Sequence, residues 1–427
     1  MSSGAEPVSR ARAACVLALL FAVLAFSLID RHILSILLED IKRDLGVSDT
    51  AMGFLSGLAF ALTNAIAGVP LARLADRSSR RTIVAAGLAA WSLLTALQGL
   101  AGSFVFLALT RIGVGIGEAT TGPSAHSLIS DHYPPRQRAS AIAIYTMGGH
   151  FGVFIGLALG GWLNEAYGWR TAFVAVGLPG LLVALLVQLG IREPVRGQIE
   201  GRSEERGDES AVEVMRYLWS RRSFRHLACA APLFVLSFYA FNVWGPVFLM
   251  RVHGMPSSEA GLSFGTVTGI CGAAGTLCGG LLGDWLAKRD VRWYLRFPAL
   301  AALGMLPFCI GFLFSPDPRV ALAFLAPMMF LGAVFIAPLH AVAQGIARLR
   351  MRAMASALVH LSISAIGGGL GPQLIGILND LFAGSAGSEA VRYSLLLVIL
   401  TNGWGALHAF SAMRTVEADL AAAHEPA

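Results

Sequence analysis

Two carboxylates and two guanidiniums stand inside stretches that are otherwise apolar: Asp30 and Arg31 in the run 14–38, Arg111 and Glu118 in the run 104–130. Ionised groups inside an apolar span are expensive, so they mark a pathway more often than a strut. Arg111 and Glu118 are seven residues apart, so on a helix both point the same way, about 10 Å apart along the axis. Gly113, Gly115 and Gly117 lie between them and let neighbouring helices approach. Asp30 and Arg31 diverge by about 100°, so one of them is expected to pair across to the run that carries Arg111. Burial disfavours a charged carboxyl, which makes Asp30 and Glu118 the candidates for taking up a proton or cation. The alternatives are structural: Asp30 as partner of an arginine, Glu118 as neutraliser of Arg111. A guanidinium forms a forked pair with phosphate or carboxylate, so Arg111, with Arg31, is the candidate anion holder. The alternative there is a permanent salt bridge.

These four need helices that cross a membrane. The chain has 427 residues, 56% hydrophobic and 14% charged, with mean hydropathy +0.66, against about 25% charged in soluble proteins. Allowing about 20 apolar residues per crossing, twelve spans are expected near 14–38, 51–72, 82–101, 104–130, 139–164, 170–191, 225–250, 259–286, 295–314, 320–346, 353–379 and 391–413. Alternate loops sort by charge. Arg10/Arg12, Arg77/Arg80/Arg81, Arg136/Arg138, the long central loop, Lys288/Arg289/Arg292 and Arg348/Arg350/Arg352 fall on one side. By the positive-inside rule that side, with both termini, is cytoplasmic. An even number of spans agrees. The apolar run after Arg10 and Arg12 is too long for a signal peptide and reads as a retained first span. The net charge of +6 does not argue for nucleic acid, because the arginines cluster in short loops between spans. Cys15, Cys229, Cys271, Cys278 and Cys309 show no C-x-x-C spacing, so neither a disulfide framework nor a metal site is expected. All but Lys42 and Lys288 of the 32 basic residues are arginine, a bias of GC-rich bacterial genomes.

The polar stretch 192–222 falls at mid-chain and reads as a cytoplasmic linker, with an amphipathic surface helix around Val212–Trp219. The domain expectation is therefore a first half 1–191, a linker 192–223 and a second half 224–427. The halves echo one another. RASAIAIY from Arg138 returns as RAMASALV from Arg352, GWLNEAYG from Gly161 as GILNDLFAG from Gly376, and Asp76 after span two has a counterpart in Asp284 after span eight. PLARLADRSSRRT (70–82) resembles the loop signature G-x-x-x-D-R-x-G-R-R of the major facilitator superfamily, with Asp76, Arg77, Arg80 and Arg81 matching and Ala72 and Ser79 in place of the glycines. Gly152, Gly156, Gly160 and Gly161 are similar to that family's glycine-rich fifth helix. Within the superfamily, Asp30-Arg31, RIGVGIGEA and SLISDHYPPRQRASAIAIY most resemble the spinster-like transporters. The resemblance implies an all-α membrane protein with twelve transmembrane helices in two pseudo-symmetric six-helix halves, working by alternating access. It also implies gating by Asp76, Arg77, Arg80, Arg81 and Asp284, and export of sphingosine-phosphate-like or lysophospholipid amphiphiles, in some members with proton coupling.

The second half carries no acidic or basic residue deep in its spans. It offers Tyr239, Asn242, Trp244, His340 and Gln344 as candidate substrate contacts, with helix packing as the plainer role for each. An ionic wall facing a weakly polar one suits an amphiphilic anion. The runner-up substrate is a small organic anion, such as a sugar acid or sugar phosphate; a multidrug exporter ranks third. GVGIGE is not a dinucleotide loop, since no strand precedes it. GLSFG (261–265) is not a hydrolase elbow, since it opens an apolar helix. No enzyme, cofactor or metal is expected. The expected partners are a small-molecule or lipid substrate, protons and membrane lipids, for a monomer in the bacterial inner membrane.

Overall fold

In a lipid core every backbone N–H and C=O must be satisfied within its own segment, so a chain this apolar must be helical. The computed structural model describes residues 10–194, 211–348 and 351–423 and contains no strand among them. In chain order the helices are α1 Arg10–Leu45, α2 Asp49–Ser56, α3 Leu58–Arg77, α4 Arg80–Gln98, α5 Phe104–Glu118, α6 Thr121–His132, α7 Pro135–Gly190, α8 Ala211–Ser220, α9 Arg222–His253, α10 Ser257–Ala287, α11 Trp293–Phe314, α12 Pro318–Ala333, α13 Ile336–Ile346, α14 Arg352–Ser362, α15 Gly371–Ala386, α16 Ala390–Ile399, α17 Thr401–Ala412 and α18 Val416–Ala422. A π-helical stretch, Ile363–Leu370, joins α14 to α15. Half of the expected linker, residues 195–210, lies outside the described residues.

Serine and aspartate start several helices by accepting a backbone N–H two or three residues on: Ser48 from Ala51, Ser79 from Thr82, Ser103 from Phe106, Asp317 from Arg319. At 1.5 Å per residue α7 would run about 84 Å, far more than the ~30 Å of a bilayer core. It is broken at Gly168, whose φ of 82° only glycine adopts readily. Among the described residues nine stretches are long and apolar enough to cross a membrane. Two of them, Arg136–Gly190 and Met354–Ala412, are long enough for two crossings each. α4 falls just short because Arg80 and Arg81 open it and Gln98 ends it; counted with the others it makes twelve.

The chain folds into two compact units. Of the described residues, the first holds 10–46, 59–194 and 257–265; the second holds 47–58, 211–256, 266–348 and 351–423. In the first, α1 packs along α7 and α4 bridges α5 and α7, around a core of Val16, Leu20, Leu88, Trp91, Val114 and Leu128. Contact is close because of glycine: a Cβ at Gly156 would stand 2.9 Å from the carbonyl oxygen of Ile29. In the second, α9 packs with α17 and α15, and α2 lies against α15. Leu178, Leu182, Leu185 and Leu189 are exposed on one stripe of α7, an apolar face fit for lipid.

Candidate functional site

In the first unit α5 approaches α3 and α4 closely: a Cβ on Gly115 would lie 2.9 Å from the Phe60 carbonyl oxygen of α3, and one on Gly117 3.0 Å from the Trp91 Cβ of α4. That turns Arg111 and Glu118 inward against α1. Of the adjacent pair on α1, Arg31 crosses to Glu118: Nη2 and Nε donate to one carboxylate oxygen, Oε2, at 2.6 and 2.9 Å. Ser27 Oγ donates to the same oxygen at 2.6 Å, while Oε1 is buried without a partner. Asp30 turns to α4, where Thr95 Oγ1 donates to Oδ2 at 3.1 Å; Oδ1 is buried and unpaired. Arg111 donates from Nη1 to the main-chain oxygen of Asp30 (3.1 Å), not to its carboxylate. The Phe60 ring of α3 lies 4.4 Å from the Arg31 guanidinium carbon and 5.1 Å from that of Arg111, so one aromatic face steadies both cations. Asp30 and Arg111 are 1% exposed, whereas the Arg31 side chain is 28% exposed. The four formal charges sum to zero. Arg31 is the member open enough to meet a ligand.

A second cluster closes the arginine-rich end of this unit. Arg80 is buried, and its guanidinium donates to Glu193 (2.8 Å), Asp131 (2.5 Å), Ser127 (2.6 Å) and the Pro194 carbonyl (3.2 Å). Glu193 also accepts from Ser79 Oγ and the Arg81 N–H, each at 2.9 Å. Arg81 reaches the Ile191 carbonyl at 3.1 Å. Partial burial of Glu193 opposes its ionisation, but the Arg81 N–H, the Arg80 guanidinium and the Ser79 hydroxyl outweigh that and hold its carboxyl below the ordinary 4.5. The sequence pointed to the arginines and not to Asp131 or Glu193, whose positions at a helix end and before the linker carry no periodic signal. The side chains of Asp76 and Arg77 lie outside the described residues. Replacing Arg80 by methionine leaves two carboxylates facing each other and is expected to destabilise the fold by about 3–5 kcal/mol. The loss is read as a fall in thermal midpoint. Lysine should restore little of it, since it cannot fork. The Glu193 contribution holds above its unfolded pKa and fades as pH falls through the lower folded value.

In the second unit the candidates do not converge. Trp244 is fully buried, its Nε1 donating to the Pro372 carbonyl at 2.9 Å. Asn242 donates to the Phe238 carbonyl of its own helix at 2.8 Å. Gln344 is exposed and donates to Ser356 Oγ at 3.0 Å. Tyr239 and His340 are half-buried, Tyr239 beside Gly368 of the π-helical stretch. Asp284 is exposed and accepts from Tyr294 at 2.9 Å.

The structure adds a latch that the sequence reading passed over, built twice from the repeated Asn-acid pair. In the second unit Asp380 of α15 accepts the first two N–H groups of α2, from Asp49 (3.0 Å) and Thr50 (2.7 Å). Asn379 donates to the Asp49 carboxylate (2.9 Å), which also takes a forked pair from Arg251 at 2.5 and 2.8 Å. In the first unit Glu165 of α7 accepts the Ser258 N–H at the start of α10 (3.1 Å), and Asn164 donates to Ser257 Oγ (3.1 Å) and to Asp40 (2.5 Å). Carboxylates at helix N-termini meet both the unpaired N–H groups and the helix dipole. These caps are why 47–58 and 257–265 belong to the units they do.

The family model described as Major Facilitator Superfamily matches residues 19–372. An MFS-type efflux pump of Mycolicibacterium smegmatis is 34% identical over 87% of this chain and 85% of its own length. A probable galactarate/D-glucarate transporter of Bacillus subtilis is 28% identical over 68% of this chain and 69% of its own. Among solved structures, a bacterial homolog to human lysosomal transporter Spinster, in the inward-facing and unoccupied conformation, aligns with a TM-score of 0.85 at 30% identity, covering 96% of this chain and 99% of that one. The occupied inward-facing conformation aligns equally well, at 29% identity.

Proposed function

The chain belongs to the major facilitator superfamily, is a multi-pass secondary transporter with a spinster-like fold, and from that premise we propose that it moves an organic anion together with a proton. One observation carries the reading. Asp30 is buried with one carboxylate oxygen unpaired, and the nearest guanidinium bonds its carbonyl instead of its carboxylate. Unlike Glu118, which Arg31 pairs, its carboxylate takes its hydrogen bond from a neutral hydroxyl, Thr95. A proton on Asp30 leaves the quartet at +1, and an anion at the half-exposed Arg31 restores neutrality. Proton and anion therefore bind together. The alternative route has the same sum: an anion on Arg31 displaces Glu118, which then takes the proton. Either way the carrier crosses between its two open states loaded with both or with neither, by alternating access.

An amphiphilic anion of the lysophospholipid or sphingosine-phosphate type is the first choice of substrate. All four charges stand in the first unit, while the candidates of the second unit, Tyr239, Asn242, Trp244, His340 and Gln344, are neutral or weakly polar. Of these, Trp244 and Asn242 are buried and bonded within the fold, which leaves the more open Tyr239, His340 and Gln344 as the proposed contacts. A sugar acid is the second reading, favoured by the galactarate/D-glucarate relative. The test is uptake into sealed proteoliposomes, acid outside, with lysophosphatidylglycerol and lysophosphatidic acid in one arm and galactarate and glucarate in the other. Acid-driven accumulation of a lysolipid supports the first reading, and accumulation of the sugar acids alone supports the second. If collapsing the gradient changes the uptake of none of them, proton coupling is lost.

A further inference from the structure

Gln98, the last residue of α4, is fully buried, and neither its amide oxygen nor its amide nitrogen has a hydrogen-bond partner. A primary amide offers two donors and an acceptor. Leaving all of them unmet in the interior destabilises a fold, and leucine would fill the same space without that penalty. Three residues earlier on the same face, Thr95 donates to Asp30 Oδ2 at 3.1 Å. Residues at i and i+3 stack along a helix. The two polar groups thus extend from Asp30 toward the turn at 99–103, on the arginine-poor face of the chain. There the Ala101 carbonyl accepts from Arg170 at 3.0 Å, and Arg170 pairs with Asp44 at 2.7 Å, both side chains 44% exposed. Solvent therefore reaches to within about one turn of Gln98.

We propose that Thr95 and Gln98 form the proton entry to Asp30 from the arginine-poor face, an inference that rests on Asp30 being the coupling carboxyl. A hydroxyl can accept a proton on one side and donate one on the other, and an amide with free donors and a free acceptor can hold a water that bridges the remaining gap. The charged groups that act on Asp30 are Glu118 and Arg111 on α5 and Arg31 on α1; His32 on α1 and Tyr145 on α7 face those arginines. The stretch Trp91–Gln98 of α4 carries none. That stretch is thus the side on which a proton approaching Asp30 meets only one cation, Arg170 at the mouth, already paired with Asp44.

The test follows the carboxyl directly and needs no substrate. The full chain in lipid nanodiscs receives an acid jump, and the infrared C=O band of a newly protonated carboxyl is timed. Asp30→Asn identifies the band by removing it. Gln98→Leu and Thr95→Val are expected to slow its rise by roughly a hundredfold, the low end for a positioned proton-transfer group. Gln98→Asn should recover part of the rate. Gln98→Leu should also leave the thermal midpoint unchanged or raise it, which no structural role for the amide predicts. If wild type shows no such band, or Asp30→Asn keeps it, the coupling assignment fails. If the band is Asp30's and rises at the wild-type rate in both Gln98→Leu and Thr95→Val, the entry route fails. A Gln98→Leu chain that unfolds or loses thermal stability overturns the route as well, by showing that the amide is structural.

Discussion

Asp30→Asn should cut gradient-driven accumulation by roughly a hundredfold or more, while the protein still folds, inserts and exchanges substrate across the membrane at equal pH. Asparagine keeps the shape and the acceptor for Thr95, so the packing of α1 on α4 survives. It fixes the quartet at +1, the charge of the protonated carrier, and removes the site whose emptying resets the cycle. Anion binding should therefore persist or tighten and lose its pH dependence. Glu118→Gln tests the opposite corner. It removes the oxygen charge that three hydrogen bonds, two from Arg31 and one from Ser27, converge on. Breaking a buried pair costs about 3–5 kcal/mol, less here because Arg31 is part-exposed. So Glu118→Gln should lower stability as well as transport, whereas Asp30→Asn lowers transport alone. Equal losses of stability in the two variants would refute the distinction. So would wild-type accumulation in Asp30→Asn.

Asp49→Asn should release residues 47–58 more than any other single change in the second unit. The Asp49 carboxylate is almost wholly buried and holds Arg251 by both terminal nitrogens and Asn379 by one. Neutralising it takes from the Arg251 guanidinium its forked carboxylate, an effect of about 3–5 kcal/mol for a buried pair. Hydrogen exchange should rise first at the start of α2, whose N–H groups Asp380 holds. A double-mutant cycle between Asp49 and Arg251 should give a coupling of at least about 1 kcal/mol. The equivalent change in the first unit, Glu165→Gln, should do far less, because Glu165 lies in open solvent and holds one N–H. An equal effect at Glu165 would mean that burial is not what gives the latch its strength.

How much of this was legible in the sequence depended on the contrast each residue makes with its neighbours. Asp30, Arg31, Arg111 and Glu118 stood out because charge among apolar residues is rare, and Arg80 and Arg81 because they sit in a recognisable loop. The helices followed from length and hydropathy, α4 included, although its polar residues make it the weakest span by composition. Asp49, Arg251 and Asp380 escaped because acids and bases at the ends of spans are ordinary, and nothing local distinguishes a latch from a solvated edge. Gln98 escaped for the converse reason: a neutral amide in a span raises no alarm until its surroundings show both of its polar atoms unmet. Trp244 drew notice for its polar handle, but a buried indole N–H needs only one carbonyl, and Pro372 supplies it. Sequence shows that a polar group is present and not whether the fold has already answered it.

The π-helical stretch Ile363–Leu370 bears on the ancestry of the two halves. From Arg138 to Gly161 the first copy runs one residue shorter than the second does from Arg352 to Gly376. In a plain α-helix one added residue would swing everything after it by about 100°, and Asn379 and Asp380 would face away from α2. A π-turn takes more residues per turn than an α-turn, so it can swallow the insertion where it occurs. The second copy has drifted in length without losing phase, and the Gly-rich segment is where that slack was taken up.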